Sequence, residues 1–153
     1  MSITEVRLAG PEDTDRVYDF LVDLHKENGL FELDRSSARN VIERGTHHDG
    51  GLIYIIEHKN EIRASIGLVM DRHWYSDQWY LLELWTYINP KYRTYGYVDI
   101  LIDKAKESAD RLHIPLQIGV LSTHRTDAKV RLYQRKMPFA GAFFFYEPKN
   151  GRG

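Results

Sequence analysis

The chain has 153 residues, 42% of them apolar, which suits one domain with a real hydrophobic core. Its formal net charge of −1 gives no bulk field that would draw in nucleic acid or an anionic membrane. It has no cysteine, which excludes disulfides, thiolate metal sites and a cysteine nucleophile. The opening residues MSITEVRLAG carry charges where a signal peptide needs an apolar centre, and no apolar run approaches the ~20 residues of a membrane helix. The expectation is a cytoplasmic protein of one domain, residues 1–153.

Ile3 to Leu8 alternates as a first strand. Gly10-Pro11-Glu12-Asp13 is a helix start, with proline in the first turn and acids at the positive end of the dipole. Val17, Phe20, Leu21 and Leu24 make one helical face, and Asn28-Gly29 ends it. Asp34 caps a second helix running to about Arg44, and Gly50-Gly51 breaks the chain. Three strand-like runs follow. They are Leu52 to Glu57, Ile62 to Met70 after a turn at Lys59-Asn60-Glu61, and Trp79 to Ile88 after the aromatic loop DRHWYSDQW.

Val98, Leu101, Ile102, Ala105, Ala109 and Leu112 space out a long helix. Leu116 to Leu121 reads as a buried strand, Thr126 to Lys136 as a helix and Phe139 to Glu147 as a closing strand. Hairpin-linked strands thus precede a strand-helix-strand unit that needs a right-handed crossover. The order predicts an α/β (α+β) domain: a mixed, mostly antiparallel central sheet with helices on both faces.

The stretch YINPKYRTYGYVDILIDKAK, residues 87–106, joins an apolar strand to an amphipathic helix through a short loop. Free backbone N–H groups point outward at such a helix start, and the dipole favours an anion. Gly96 lets a phosphate approach the backbone closely, and Arg93 can add a charged contact. The bland alternative is a tight turn with a solvated arginine. The loop is neither a Walker A loop nor a dinucleotide fingerprint.

Arg93-Thr94-Tyr95-Gly96-Tyr97-Val98, at the start of that helix, resembles the Q/R-x-x-G-x-G/A signature of the GCN5-related N-acetyltransferase (GNAT) family. The preceding INPKYR is similar to that family's strand-end V-x-P-x-Y-R segment. RLYQRKMPFAGAFFFY resembles its last helix and final strand. The resemblance implies the GNAT fold, acetyl-CoA as cosubstrate, and a cofactor site at Arg93, Thr94, Tyr95, Gly96, Tyr97 and Val98. It also implies that Thr86, Tyr87 and Ile88 offer backbone groups to the pantetheine arm, and that Ser122 touches the cofactor. Val98 departs from the signature's Gly or Ala, and its branched side chain could crowd the pyrophosphate.

Glu83 interrupts the apolar strand WYLLELWTYI, and alternation sets it on one face with Leu81, Trp85 and Tyr87. Burial disfavours a carboxylate's charge, which suits a general base. The alternative is a structural ion pair. The resemblance implies Glu83 as the base, Tyr133 as the acid that protonates the CoA thiolate, and backbone N–H groups of Leu84 to Tyr87 facing the oxyanion. Tyr133 is equally readable as a core-edge aromatic, since Val130 lies three residues before it.

Arg131, Arg135 and Lys136 read better as a solvated face than as a phosphate site. The seven histidines show no metal-ligand spacing, so no metal is expected. The loop with Trp74, Tyr75, Trp79 and Tyr80 is either a wall of an acceptor pocket or packing for the first helix pair.

The reading is an N-acetyltransferase acting on a small-molecule or peptide amine. The rival, favoured by Val98, is a non-catalytic CoA- or protein-binding module on the same fold. Phe143, Phe144 and Phe145 exceed what one buried strand face needs and are compatible with a homodimer.

Overall fold

A computed structural model describes residues 4–120 and 125–149. They fall into two compact units, Met1–Ile118 and Gly119–Gly153. The first holds a five-stranded sheet in the order β1-β2-β3-β4-β5. β1 is Glu5–Leu8, β2 Gly51–His58, β3 Glu61–Asp71, β4 Tyr80–Ile88 and β5 Leu116–Gln117. All neighbours are antiparallel except β4 and β5, which are parallel and joined by a helix.

Three helices belong to this unit: α1 Thr14–Asn28, α2 Arg35–Thr46 and α3 Tyr97–Leu112. Before α1, Pro11–Asp13 forms a 3₁₀ turn, so the helix proper begins three residues later than the proline signal suggests. The Asp34 side chain accepts the Ser37 N–H, capping α2. Lys59 and Asn60 both have positive φ, as a two-residue turn joining twisted strands requires.

β2 is buried on both faces. Tyr54 and Ile56 join Ile66, Leu68, Leu81, Leu101 and Ala105 in a core beneath α3. Ile53 and Ile55 join Val17, Phe20, Ile42 and Tyr87 in a second core beneath α1 and α2. Helices therefore cover both faces of the sheet, as the sequence predicts. Among the described residues no helix is long and apolar enough to cross a membrane.

Two bulges shape the sheet. Ile56 pairs with Ala64 and Glu57 with Ile62, which leaves Arg63 as an extra residue in β3. Gly67 pairs with Trp85 and Leu68 with Glu83, which leaves Leu84 as an extra residue in β4. A Cβ at Gly67 would clash with the Trp85 ring, so glycine there admits the indole.

The second unit contains α4, Thr126–Gln134. The closing strand predicted at Phe139 to Glu147 is absent: these residues have no regular structure. Phe143 and Phe144 are 71% and 96% exposed. Four successive aromatics supply β-propensity but no period-2 pattern, and a strand needs a partner ladder to persist. Of the predicted Leu116 to Leu121, β5 takes Leu116–Gln117, residues 118–120 have no regular structure, and Leu121 lies outside the described residues.

Candidate functional site

The site is built on β4, the loop after it and the first turn of α3. The bulge at Leu84 breaks the alternation of β4. Trp85 and Tyr87 face α1 and α2, whereas Glu83 pairs with Leu68 and shares the α3 side with Leu81. The sequence-based placing of Glu83 with Trp85 and Tyr87 is therefore corrected. The extra residue shifts the side-chain phase by one, which moves Glu83 to the opposite face.

Glu83 is half-buried. Thr86, three residues on, donates its hydroxyl hydrogen bond to Glu83 Oε2 at 2.7 Å. This contact exists because the bulge returns both residues to one face. Beyond Leu82, no strand among the described residues pairs with the outer edge of β4.

Asn89 caps a short 3₁₀ turn, Pro90–Tyr92, by accepting the Lys91 N–H. The loop then reaches Gly96, whose φ of 76° and ψ of 19° lie in the left-handed region. Among the described residues an ideal Cβ at Gly96 meets nothing within 4 Å, so the space beside its Cα is open. Gly96 caps α3, a helix of 16 residues whose first N–H groups have no intrahelical acceptor. Thr94 and Tyr95 are exposed. Tyr97 is buried and Val98 packs, partly buried, against the core beneath α3. The crowding foreseen at Val98 meets a side chain that packs inward.

Arg93 is not merely solvated. Its Nη2 donates to both carboxylate oxygens of Glu27 on α1, at 2.7 and 2.9 Å, and its Nε donates to the Ile88 carbonyl at 3.3 Å. The Tyr87 hydroxyl donates to the same Glu27 at 3.1 Å. Burial first, and the Glu27 carboxylate second, push the Tyr87 phenol up to about 12. Beside this cluster lies a cavity of about 380 Å³ lined by Phe20, Asp23, Lys26, Glu27, Tyr87 and Asn89. A second, apolar groove of about 280 Å³ runs between α1, α2 and the bulge, with Leu84 and Trp85 on its wall.

Ile88 is buried in the core beneath α3, so only its backbone is available to a ligand. The aromatic loop lines neither cavity. Trp74 is 95% exposed, the Tyr80 ring stacks on His73 and Arg72 lies over Trp79. Tyr133 lies half-buried on α4 in the second unit. Ser122 lies outside the described residues. Among the described residues no group of three or more acidic or histidine side chains is placed to hold a metal.

Two residues outside those expected at the site, Glu27 and Arg63, hold its loop in place. Arg63 is the extra residue of the β3 bulge. Its guanidinium lies 4.1 Å from the Tyr92 ring centroid. The clue to Arg63 was the density of tyrosines around one glycine, which calls for a cation to pack against them.

The sheet order, the parallel β4–α3–β5 unit and a glycine-led helix start define an acyltransferase architecture. The sequence matches the model of the acetyltransferase (GNAT) family over residues 15–139, a span that runs through both units. The chain belongs to this family. Solved structures with the same fold include a possible acetyltransferase from Clostridium difficile 630, at 20% identity and TM-score 0.72 over 96% of this chain and 97% of that one. A GCN5-related N-acetyltransferase from Ralstonia eutropha JMP134 gives 18% and 0.73, over 97% and 100%. An aminoglycoside acetyltransferase from an uncultured soil metagenomic sample gives 13% and 0.72, over 95% and 98%. No curated protein matches the chain.

Proposed function

We propose that the protein is an acetyl-CoA-dependent N-acetyltransferase acting on a primary amine. The observation that carries this reading is the helix start at Gly96. Its left-handed backbone, the open space beside its Cα and the first N–H groups of a 16-residue helix suit an anionic diphosphate. Backbone groups of Gly96, Tyr97 and Val98 would hold the diphosphate, with the Thr94 hydroxyl and Arg93 at its side. The outer edge of β4 at Thr86, Tyr87 and Ile88 offers N–H and C=O groups to an amide-bearing arm. Acetyl-CoA supplies an activated acetyl thioester.

Glu83 serves as general base and takes the proton of the acceptor amine. The hydrogen bond from Thr86 orients the carboxylate. Backbone N–H groups near Trp85 to Tyr87 stabilise negative charge on the carbonyl oxygen. Tyr133 gives a proton to the departing sulfur. Direct attack by the amine needs no covalent enzyme intermediate, in keeping with a chain that has no cysteine.

The cavity lined by Asp23, Lys26 and Glu27 lies on the α1 and α2 face of the sheet, opposite Glu83, and its wall carries a cation as well as two acids, so it does not carry the acceptor's identity. One similar structure is that of an aminoglycoside acetyltransferase, which makes an aminoglycoside one candidate acceptor to screen.

The test is Glu83→Gln. Turnover at neutral pH should fall about 10²-fold or more while acetyl-CoA affinity stays nearly intact. Unchanged turnover would remove Glu83 from the mechanism.

A further inference from the structure

Arg63 fastens both flanks of the Gly96 turn. It is the extra residue of the bulge in β3, and its backbone carbonyl accepts the Asn89 N–H at 2.8 Å. Its guanidinium carbon lies 4.1 Å from the Tyr92 ring centroid and 5.8 Å from that of Tyr95. Its Nη1 donates to the Tyr97 hydroxyl oxygen at 3.1 Å. Tyr92 ends the short turn before the loop, and Tyr97 is the first residue of α3. One side chain therefore holds the residue that enters the loop and the residue that leaves it.

Glu61 completes the arrangement. Its Oε1 accepts the Tyr92 hydroxyl at 2.6 Å and lies 3.8 Å from Arg63 Nε. The Arg63 side chain is only 14% exposed, an unusual degree of burial for a guanidinium, and among the described residues its Nε has no hydrogen-bond partner. Such burial is tolerated where stacking and charge fix the group in one geometry. The residues between Tyr92 and Tyr97 are exposed, and Tyr95 N–H to the Tyr92 carbonyl, at 3.2 Å, is a turn bond among them. Where Tyr92 and Tyr97 are held thus decides how the first N–H groups of α3 face an incoming anion.

We infer that Arg63 is a positioning residue for the cosubstrate, an inference that rests on the acetyltransferase reading. It acts through Tyr92 and Tyr97, setting the loop before the diphosphate arrives, so that binding need not order it. A lysine keeps the charge but has no planar face to lie on one ring while donating to another.

The experiment compares wild type, Arg63→Met, Arg63→Lys and Tyr97→Phe by calorimetric binding of acetyl-CoA and by steady-state kinetics. Arg63→Met should weaken acetyl-CoA binding and raise its KM about tenfold, with kcat and the acceptor's KM within about twofold of wild type. Arg63→Lys should resemble Arg63→Met. Tyr97→Phe removes one hydroxyl and keeps the ring, so it serves if the arginine variants do not fold; it should give a smaller loss of the same kind. Unchanged affinity in Arg63→Met, or in Tyr97→Phe where only that variant folds, overturns the inference. So does an Arg63→Lys variant that behaves as wild type, since charge alone would then suffice. A wild-type protein that binds no acetyl-CoA overturns the acetyltransferase reading itself, and this inference with it.

Discussion

Arg93 and Glu27 stand 66 residues apart in sequence and form a two-oxygen ion pair that ties the glycine loop to α1. Glu27 also accepts the Tyr87 hydroxyl, so loop, helix and β4 meet at one carboxylate. An anionic diphosphate at the loop would compete with Glu27 for Arg93. Glu27→Gln should therefore tighten acetyl-CoA binding severalfold at low salt, with the gain shrinking as salt rises. The stability cost should stay within about 1 kcal/mol, because both partners are partly exposed. Calorimetry at two ionic strengths checks this, and weakened binding would mean that Glu27 holds Arg93 in its useful place.

Thr86 donates to Glu83 only because the bulge brings them to one face. Thr86→Val should reduce kcat severalfold, since the Glu83 carboxylate loses the hydrogen bond that orients it, with the KM for acetyl-CoA within about twofold of wild type. Unchanged kcat would assign Thr86 to packing instead.

Asp13 is buried at the centre of a four-residue cluster. Arg7 donates to it at 2.8 and 2.9 Å and Arg16 at 3.2 Å, and both arginines also bind Glu57. Arg7 above all holds the Asp13 carboxyl below its usual range, and the two arginines outweigh burial to do the same for Glu57. A depressed carboxylate contributes stability above its unfolded-state value, about pH 4, and that contribution is lost as pH falls through the native value. Urea unfolding should show stability falling below about pH 4. Asp13→Asn should cost about 3 kcal/mol at pH 7 and flatten that acid dependence.

Gly96→Ala separates backbone strain from ligand crowding. A left-handed alanine costs about 1–2 kcal/mol of stability, and among the described residues no neighbouring atom adds to that. Loss of acetyl-CoA affinity should exceed what this strain explains, because the new methyl group enters the open space of the cradle. Unfolding and binding measured on one sample check both parts.

The helices, the β2–β3 hairpin and the covering of both sheet faces were legible because each rests on local periodicity and turn chemistry. The phase of β4 was not. WYLLELWTYI alternates as written, and the bulge at Leu84 arises from pairing with β3 beside Gly67 and Trp85. The partners of Arg93 and Arg63 were likewise hidden, since Glu27 and Tyr92 reach them only through the folded sheet. Phe139 to Glu147 was misread because aromatic content signals a strand without supplying its neighbour.

The most direct test of the cradle at Gly96 is thermal unfolding of the wild-type protein across acetyl-CoA concentrations. At ~100 times the dissociation constant, a ligand bound only to the folded state adds ~2.7 kcal/mol, or about 5–10 °C in Tm for a chain of this size. A dose-dependent rise of that order is the expected result. No shift at millimolar acetyl-CoA would contradict the account.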